Sequence, residues 1–219
     1  MKKRTIIVSF VVLLTLAGFI AFRAMHKEAT ALNDSFTKEF IAEEWIEDEF
    51  HLFESKTGQY RMLFPDHFQM ISDPPEFYER QGDGFEEWAA QIYEYTQDGI
   101  SYRMNIRFTN EETDLSDNIL SLMLTNYAYE NQHKEMKLDD TTIYHGLSHS
   151  SLDGTIATTK NPNEHKANRF FGLVLDQHSN RSVEFFYSIN CYKEELGCGF
   201  NPEEHYEFAL KLMKSIEFL

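Results

Sequence analysis

Hydrophobic positions recur in this 219-residue chain with three different spacings. The first is unbroken. From Thr5 to Phe22 no residue is charged, Lys2, Lys3 and Arg4 precede the run, and Arg23 closes it. As a helix these residues would measure about 27 Å, close to the hydrocarbon thickness of a bilayer. A secretory signal's apolar region is shorter, about 7–15 residues, so residues 1–24 read as a retained signal anchor. The basic flank would stay cytoplasmic and the bulk of the chain would face outward. The alternative is cleavage after Ala31, in Ala29-Thr30-Ala31, which would release the rest. Lipoprotein processing fits poorly, because the first cysteine is Cys191.

The second spacing is helical. Phe36, Phe40 and Trp45 recur among Glu39, Glu43, Glu44, Glu47 and Asp48, which predicts an amphipathic helix over 33–49 within a helical juxtamembrane segment, 25–48. Ile119, Leu120, Met123, Leu124 and Tyr127 form the stripe of a helix over 114–131, with Asp114 or Ser116 as its cap. The last helix opens at Asn201, with Pro202 at its first position and Glu203 and Glu204 at the positive end of its dipole. Tyr206, Ala209, Leu210, Met213 and Ile216 then face the core.

The third spacing alternates with period two. Strands are predicted at 49–55 and 60–64, joined by a turn containing Gly58, with a short third strand at 67–72. Strands at 87–96 and 100–109 flank Gln97-Asp98-Gly99. Further strands fall at 141–145, 151–160, 168–176 and 182–190, the last two separated by the turn residues His178-Ser179-Asn180-Arg181. Hairpin-sized connections without regular βαβ alternation predict an α+β fold: a mainly antiparallel β-sheet with helices packed against it, in a single extracytoplasmic domain over 49–219, preceded by one transmembrane helix.

Charge narrows the partners. The chain carries 20 Lys and Arg against 36 Asp and Glu, a net charge of −16, and four of those cations lie at or before Arg23. Nucleic acid is therefore excluded as a partner, and adsorption onto anionic lipid is disfavoured. The acidity implies a soluble surface or a cationic envelope partner. With 19 Phe and 11 Tyr the chain is too aromatic for a disordered acidic segment.

Cys191 and Cys198, six residues apart, read as a local disulfide in an oxidising compartment. Closing so short a loop contributes roughly 2.5 kcal/mol on the chain-entropy model. A redox pair would favour C-x-x-C spacing, and the flanking glutamates would raise the thiol pKa.

Chemistry-bearing patterns are sparse. His145 and His149 lie four apart, with His165, Asp139, Asp140 and Asp153 in the same region. Were they on a helix, that spacing would offer a transition-metal site, zinc, copper or nickel rather than calcium. Gly146 and the neighbouring Ser and Thr instead favour loop or strand, and an exposed polar loop is the plainer reading. No G-x-S-x-G or S-x-x-K signature selects a nucleophile. Trp88, Tyr93, Tyr95, Tyr102 and Tyr192 could line a groove for a peptide or glycan, although strands favour aromatics in any case.

The phrase Tyr60-Arg61-Met62-Leu63-Phe64-Pro65, the mid-chain helix over 114–131, the late strand pair and the closing Ser215-Ile216-Glu217-Phe218 together resemble the PsbP/Mog1-like family over about 49–219. The resemblance implies a binding or accessory domain more than an enzyme, and carries over no functional residue. The expectation is thus a membrane-anchored, non-enzymatic binding or accessory domain of the cell envelope without a cofactor. The alternative is a metal-binding protein using His145, His149 and His165.

Overall fold

The computed structural model describes residues 30–72, 78–92, 99–153, 156–192 and 199–219. The run from Thr5 to Phe22 lies outside them. Among the described residues no helix is long and apolar enough to cross a membrane.

Two antiparallel sheets form the frame. The smaller runs β1 (Ile41–Glu47), β2 (Phe50–Glu54), β3 (Tyr60–Pro65) and β13 (Glu217–Phe218), in that order. The larger has nine strands. Its path runs from β10 (Ile156–Lys160) through β9 (Thr141–Asp153), β11 (Arg169–Asp176), β12 (Arg181–Cys191), β7 (Ile100–Asn110) and β6 (Phe85–Gln91) to β4 (Gln69–Met70). β5 (Tyr78–Gln81) joins it on β6 and β8 (Lys134–Lys137) on β9. Among the described residues the two α-helices are α1 (Ser116–Tyr127) and α2 (Pro202–Lys214). The α+β expectation therefore holds in its sheet and its packed helices.

The strand alternation sorts the large sheet into two faces. Phe170, Val174, Val183, Phe185, Tyr187, Met104, Ile106, Phe108 and Trp88 point to one side, and all are buried. There they meet α2 and the smaller sheet: Phe53 packs at a tilt on Trp88 (4.6 Å between ring centroids) and Tyr60 stacks on Phe108 (5.1 Å). Helix α2 starts where predicted. Asn201 Oδ1 accepts the Glu203 N–H (3.1 Å) with Pro202 at the first helical position, satisfying one of the donors a helix start leaves open. The helix buries Ala209, Leu210, Leu212 and Met213. It comes close because Gly172 sits beneath it: a Cβ there would lie 2.1 Å from Met213 Sδ.

On the opposite face α1 buries Met123 and Leu124 against Phe171 and Leu173. It covers only part of the sheet, and the uncovered part is described below.

The predicted helix over 33–49 is corrected. Residues Ala31–Asn33 and Thr37–Glu39 are single 3-10 turns, and Ile41–Glu47 is a strand paired with β2. The four-residue spacing of Phe36 and Phe40 is met by one turn that tucks both rings against Tyr78 (5.9 and 4.9 Å). Thr37 anchors it. Its buried hydroxyl donates to Asp34 Oδ2 (2.6 Å) and accepts the Met70 N–H (2.9 Å). The segment placed outside the domain by its sequence is therefore an edge of the small sheet. The mid-chain helix is also shorter than 114–131, because Glu130 and Asn131 take positive φ (48° and 58°) just beyond it.

Candidate functional site

The face under α1 is a lattice of side chains fixed by strand register. One row across β11, β12 and β7 reads Arg169, Ser188, Arg103. The next reads Phe171, Phe186, Asn105, and ends on Ala89 of β6. The third reads Leu173, Glu184, Arg107, Glu87. Adjacent strands lie about 4.8 Å apart, so the Arg169 and Arg103 Cα atoms stand roughly 10 Å apart astride Ser188.

Helix α1 overhangs this lattice and closes a groove of about 880 Å³. Leu115, Ile119 and Leu122 form its lip, with Leu122 64% exposed. Tyr127 ends the helix, packing on Phe186 (4.1 Å between centroids) and lying under the Arg169 guanidinium (5.7 Å). Ser148 Oγ donates to the Tyr127 carbonyl (2.6 Å), tying that end of α1 to β9.

The two cationic rows differ in compensation. Arg107 donates from Nε and Nη2 to the two oxygens of Glu87 (3.0 and 3.2 Å) and lies 3.6 Å from Glu184. Burial works against its charge, but the two carboxylates outweigh it and hold its pKa above the ordinary value. Burial likewise raises Glu184. Arg169 has no such partner. Among the described residues its guanidinium makes no ion pair or hydrogen bond, and burial lowers its pKa against the opposing pull of Tyr127 alone. Arg103 donates to Asn105 Oδ1 (3.1 Å), and burial lowers it too. In a chain of net charge −16, one end of this groove carries two guanidiniums, Arg169 and Arg103.

The residues singled out from sequence lie elsewhere. His145 is buried under α2, its Nδ1 2.7 Å from the Tyr206 hydroxyl, and burial, then Lys134 and Lys214, lowers its pKa. His149 donates from Nδ1 to the Lys166 carbonyl (2.7 Å), and its ring lies 5.4 Å from that of His165. His145 and His149 share a strand, where four residues span about 13 Å. The fold thus brings His149 and His165 together and leaves His145 apart. No group of three His, Cys, Asp or Glu suited to a metal occurs among the described residues. Trp88 is core, Tyr102 packs beside His205 (5.3 Å), and Tyr192 is exposed. Tyr93, Tyr95 and Cys198 lie outside the described residues, so the Cys191–Cys198 pairing does as well.

A family model described as "Putative lipoprotein YvcA" matches residues 27–217. A protein of Bacillus subtilis (strain 168), also called "Putative lipoprotein YvcA", is 23% identical over 199 residues, covering 88% of this chain and 78% of its own length. The chain belongs to this YvcA family, of PsbP/Mog1-like kind. The match takes in residues 27–48, in keeping with β1 as part of the domain.

Proposed function

We propose that this member of the YvcA family is an extracytoplasmic, envelope-associated accessory protein that binds its ligand without transforming it, in the groove between α1 and strands β6, β7, β12 and β11. The relative's name, a lipoprotein, supports the envelope address. With no cysteine before Cys191, this sequence offers no early thiol for a lipid, and the apolar run from Thr5 to Phe22 takes the anchoring role. The Cys191–Cys198 disulfide belongs to the same reading, supported by the oxidising compartment and by the absence of a free cysteine among the described residues. The acidic exterior away from the groove suits a cationic envelope partner.

The observation that carries the proposal is the groove itself: about 880 Å³ of concave, mixed polar and apolar surface with convergent side chains, the form small-molecule sites take. Among the described residues its lining holds no histidine or cysteine, and two of its three carboxylates, Glu87 and Glu184, are engaged by Arg107, while the third, Glu111, is exposed. That composition suits holding a ligand better than general acid–base or nucleophilic work. The metal alternative retains the His149–His165 pair. One metal ion per chain, lost when both become Ala, would support it.

The test is a thermal-shift screen of the full chain against polyamines, dipeptides, glycans and organic anions, repeated with Asn126→Trp. Asn126 is exposed on α1 and lines the groove, so the indole obstructs the groove without disturbing the core. Stabilisation present in the wild type and absent in the variant is expected. Stabilisation of equal size in both would put the ligand elsewhere and overturn the proposal.

A further inference from the structure

Resting on the groove reading above, we infer the class of ligand it holds: a short soluble peptide of about three residues, its free C-terminal carboxylate on Arg169, its apolar side chains under the lip of α1 and its free amine toward Glu184 and Glu87. Arg169 receives the carboxylate. Its guanidinium lies over the Tyr127 ring and makes no ion pair or hydrogen bond among the described residues. The ring orients the planar fork and leaves its N–H donors to an incoming carboxylate, which the fork matches with two parallel bonds. Ser188 is the cross-strand neighbour of Arg169, and Asn105 lies one row along on β7. Both line the groove. Among the described residues neither the Ser188 hydroxyl nor the Asn105 amide nitrogen donates a hydrogen bond. The hydroxyl can serve the same carboxylate, and the amide a peptide carbonyl. Nothing is asked of Arg103, whose Nε is committed to Asn105 Oδ1 (3.1 Å).

The other end of the groove has the opposite balance. Four residues from Ser188 along β12, about 13 Å away, Glu184 shares the Arg107 guanidinium with Glu87. Two carboxylates against one cation leave an excess of one negative charge, and Glu111 stands exposed just past the end of β7. An ammonium is attracted there and an anion repelled. The ligand that suits both ends is a zwitterion with its charges set apart along the groove. Three extended residues span about 10 Å, and the long Arg169 and Glu184 side chains cover the rest. The last-turn carbonyls of α1 oppose the carboxylate with about half a charge, less than the guanidinium supplies, and the Tyr127 carbonyl is already engaged by Ser148.

The walls favour a peptide over a fatty acid. The roof is apolar: Leu115, Ile119 and Leu122 line the groove, with Leu122 left largely in solvent, and Tyr127 and Phe186 continue this surface toward Arg169. The floor is polar, with Asn105 between the charged ends. An extended peptide alternates its side chains and carries C=O and N–H groups between them. It can therefore set apolar side chains under α1 while its backbone bonds the floor. An alkyl chain would cover the Asn105 amide and give it no partner, which costs binding.

The experiment is calorimetric titration of the full chain, held in phosphatidylcholine nanodiscs, with the tripeptide Leu-Gly-Phe, its C-terminal amide, its N-acetyl form and octanoate. One saturable site for the free tripeptide is expected, with the amide about tenfold weaker or worse and the N-acetyl form weaker by about threefold. Octanoate binds less tightly than the tripeptide. Arg169→Gln weakens the free tripeptide by about tenfold and removes the preference for acid over amide. Arg169→Lys, which keeps the charge and loses the fork, retains part of that preference. Glu184→Gln narrows the gap between the free amine and the N-acetyl form. Lys137→Ala, on β8 outside the groove, controls for overall charge and changes nothing. An amide as tight as the acid, indifference to Arg169→Gln, or octanoate as tight as the tripeptide overturns the inference. An N-acetyl form as tight as the free amine overturns the placing of the amine. The two proposals fail separately. The tripeptide failing while another ligand is lost in Asn126→Trp removes the peptide and keeps the groove. Tripeptide binding unchanged in Asn126→Trp removes both.

Discussion

The hydroxyl of Tyr60 accepts the indole N–H of Trp88 at 2.9 Å, with both side chains fully buried between the two sheets. This one bond ties β3 to β6, strands of different sheets. Burial first, and then the neighbouring Glu86 charge, keeps the Tyr60 phenol far from ionising. Tyr60→Phe preserves the ring stacking and leaves the Trp88 donor without its acceptor. The expected cost is about 1–3 kcal/mol, read as a lowered denaturant midpoint at unchanged slope. A shift below about 0.5 kcal/mol would mean that water or another group takes over.

Gly172 is the contact point of α2 on the sheet, with room for no Cβ between Met213 Sδ and the Tyr144 carbonyl, 3.1 Å away. Met213 is fully buried and cannot swing into solvent. Gly172→Ala should therefore cost about 1–3 kcal/mol through overpacking. Met213→Ala alone should cost about 2–5 kcal/mol through its cavity. The double variant should cost less than the sum, since each change relieves the other. Additive losses in a thermal or denaturant series would refute the steric account.

Arg181 closes the β11–β12 hairpin and reaches a second sheet. It donates to Asp176 Oδ2 (2.9 Å from Nε and 2.7 Å from Nη2) and to the Leu219 carbonyl, and it lies over the Phe218 ring. Asp176 is only 4% exposed. Arg181→Ala thus leaves a nearly buried carboxylate unpaired, at an expected cost of about 3–5 kcal/mol. Arg181→Lys should recover part of this, because it restores the charge without the fork. Hydrogen exchange at residues 217–219 should quicken in both variants relative to wild type.

Burial lowers the pKa of both His145 and His205. The unfolded chain therefore takes up these protons first, near the ordinary value of 6.5. Stability is expected to fall as pH drops below that value and to continue falling until each folded-state pKa is passed. His205→Gln removes one titrating group, so its unfolding free energy should lose less between pH 7.5 and 5 than the wild type does, by about 1 kcal/mol or under. A parallel pair of curves would sink this assignment.

Much of the fold was legible because its signals are local. The 178–181 turn, the Asn201 cap and the alternation over 100–109 each depend on neighbours in sequence, and the structure keeps all three. The misreadings involve partners far along the chain. Phe36 and Phe40 look helical until Tyr78 is known to receive them. The strand at Glu217–Phe218 exists only because β3 offers an edge. The groove had a partial sequence signature: Arg103, Asn105 and Arg107 occupy the polar face of one strand in an acidic chain. Arg169 lies 66 positions beyond Arg103, and only the shared neighbour Ser188 brings the two into one row.

Gly146 and Gly172 lie on adjacent strands and serve opposite faces of the large sheet. The Phe171 ring fills the space over Gly146, and Met213 fills that over Gly172. A two-residue slip of β11 would keep the inside–outside alternation and so escape detection by hydrophobicity alone. It would also set Phe170 or Val174 under Met213, where no side chain fits. The glycines act as a keyway: they reject the nearest misalignments of the central strands sterically, and thereby guard the alignment that brings Arg169 and Arg103 into one row.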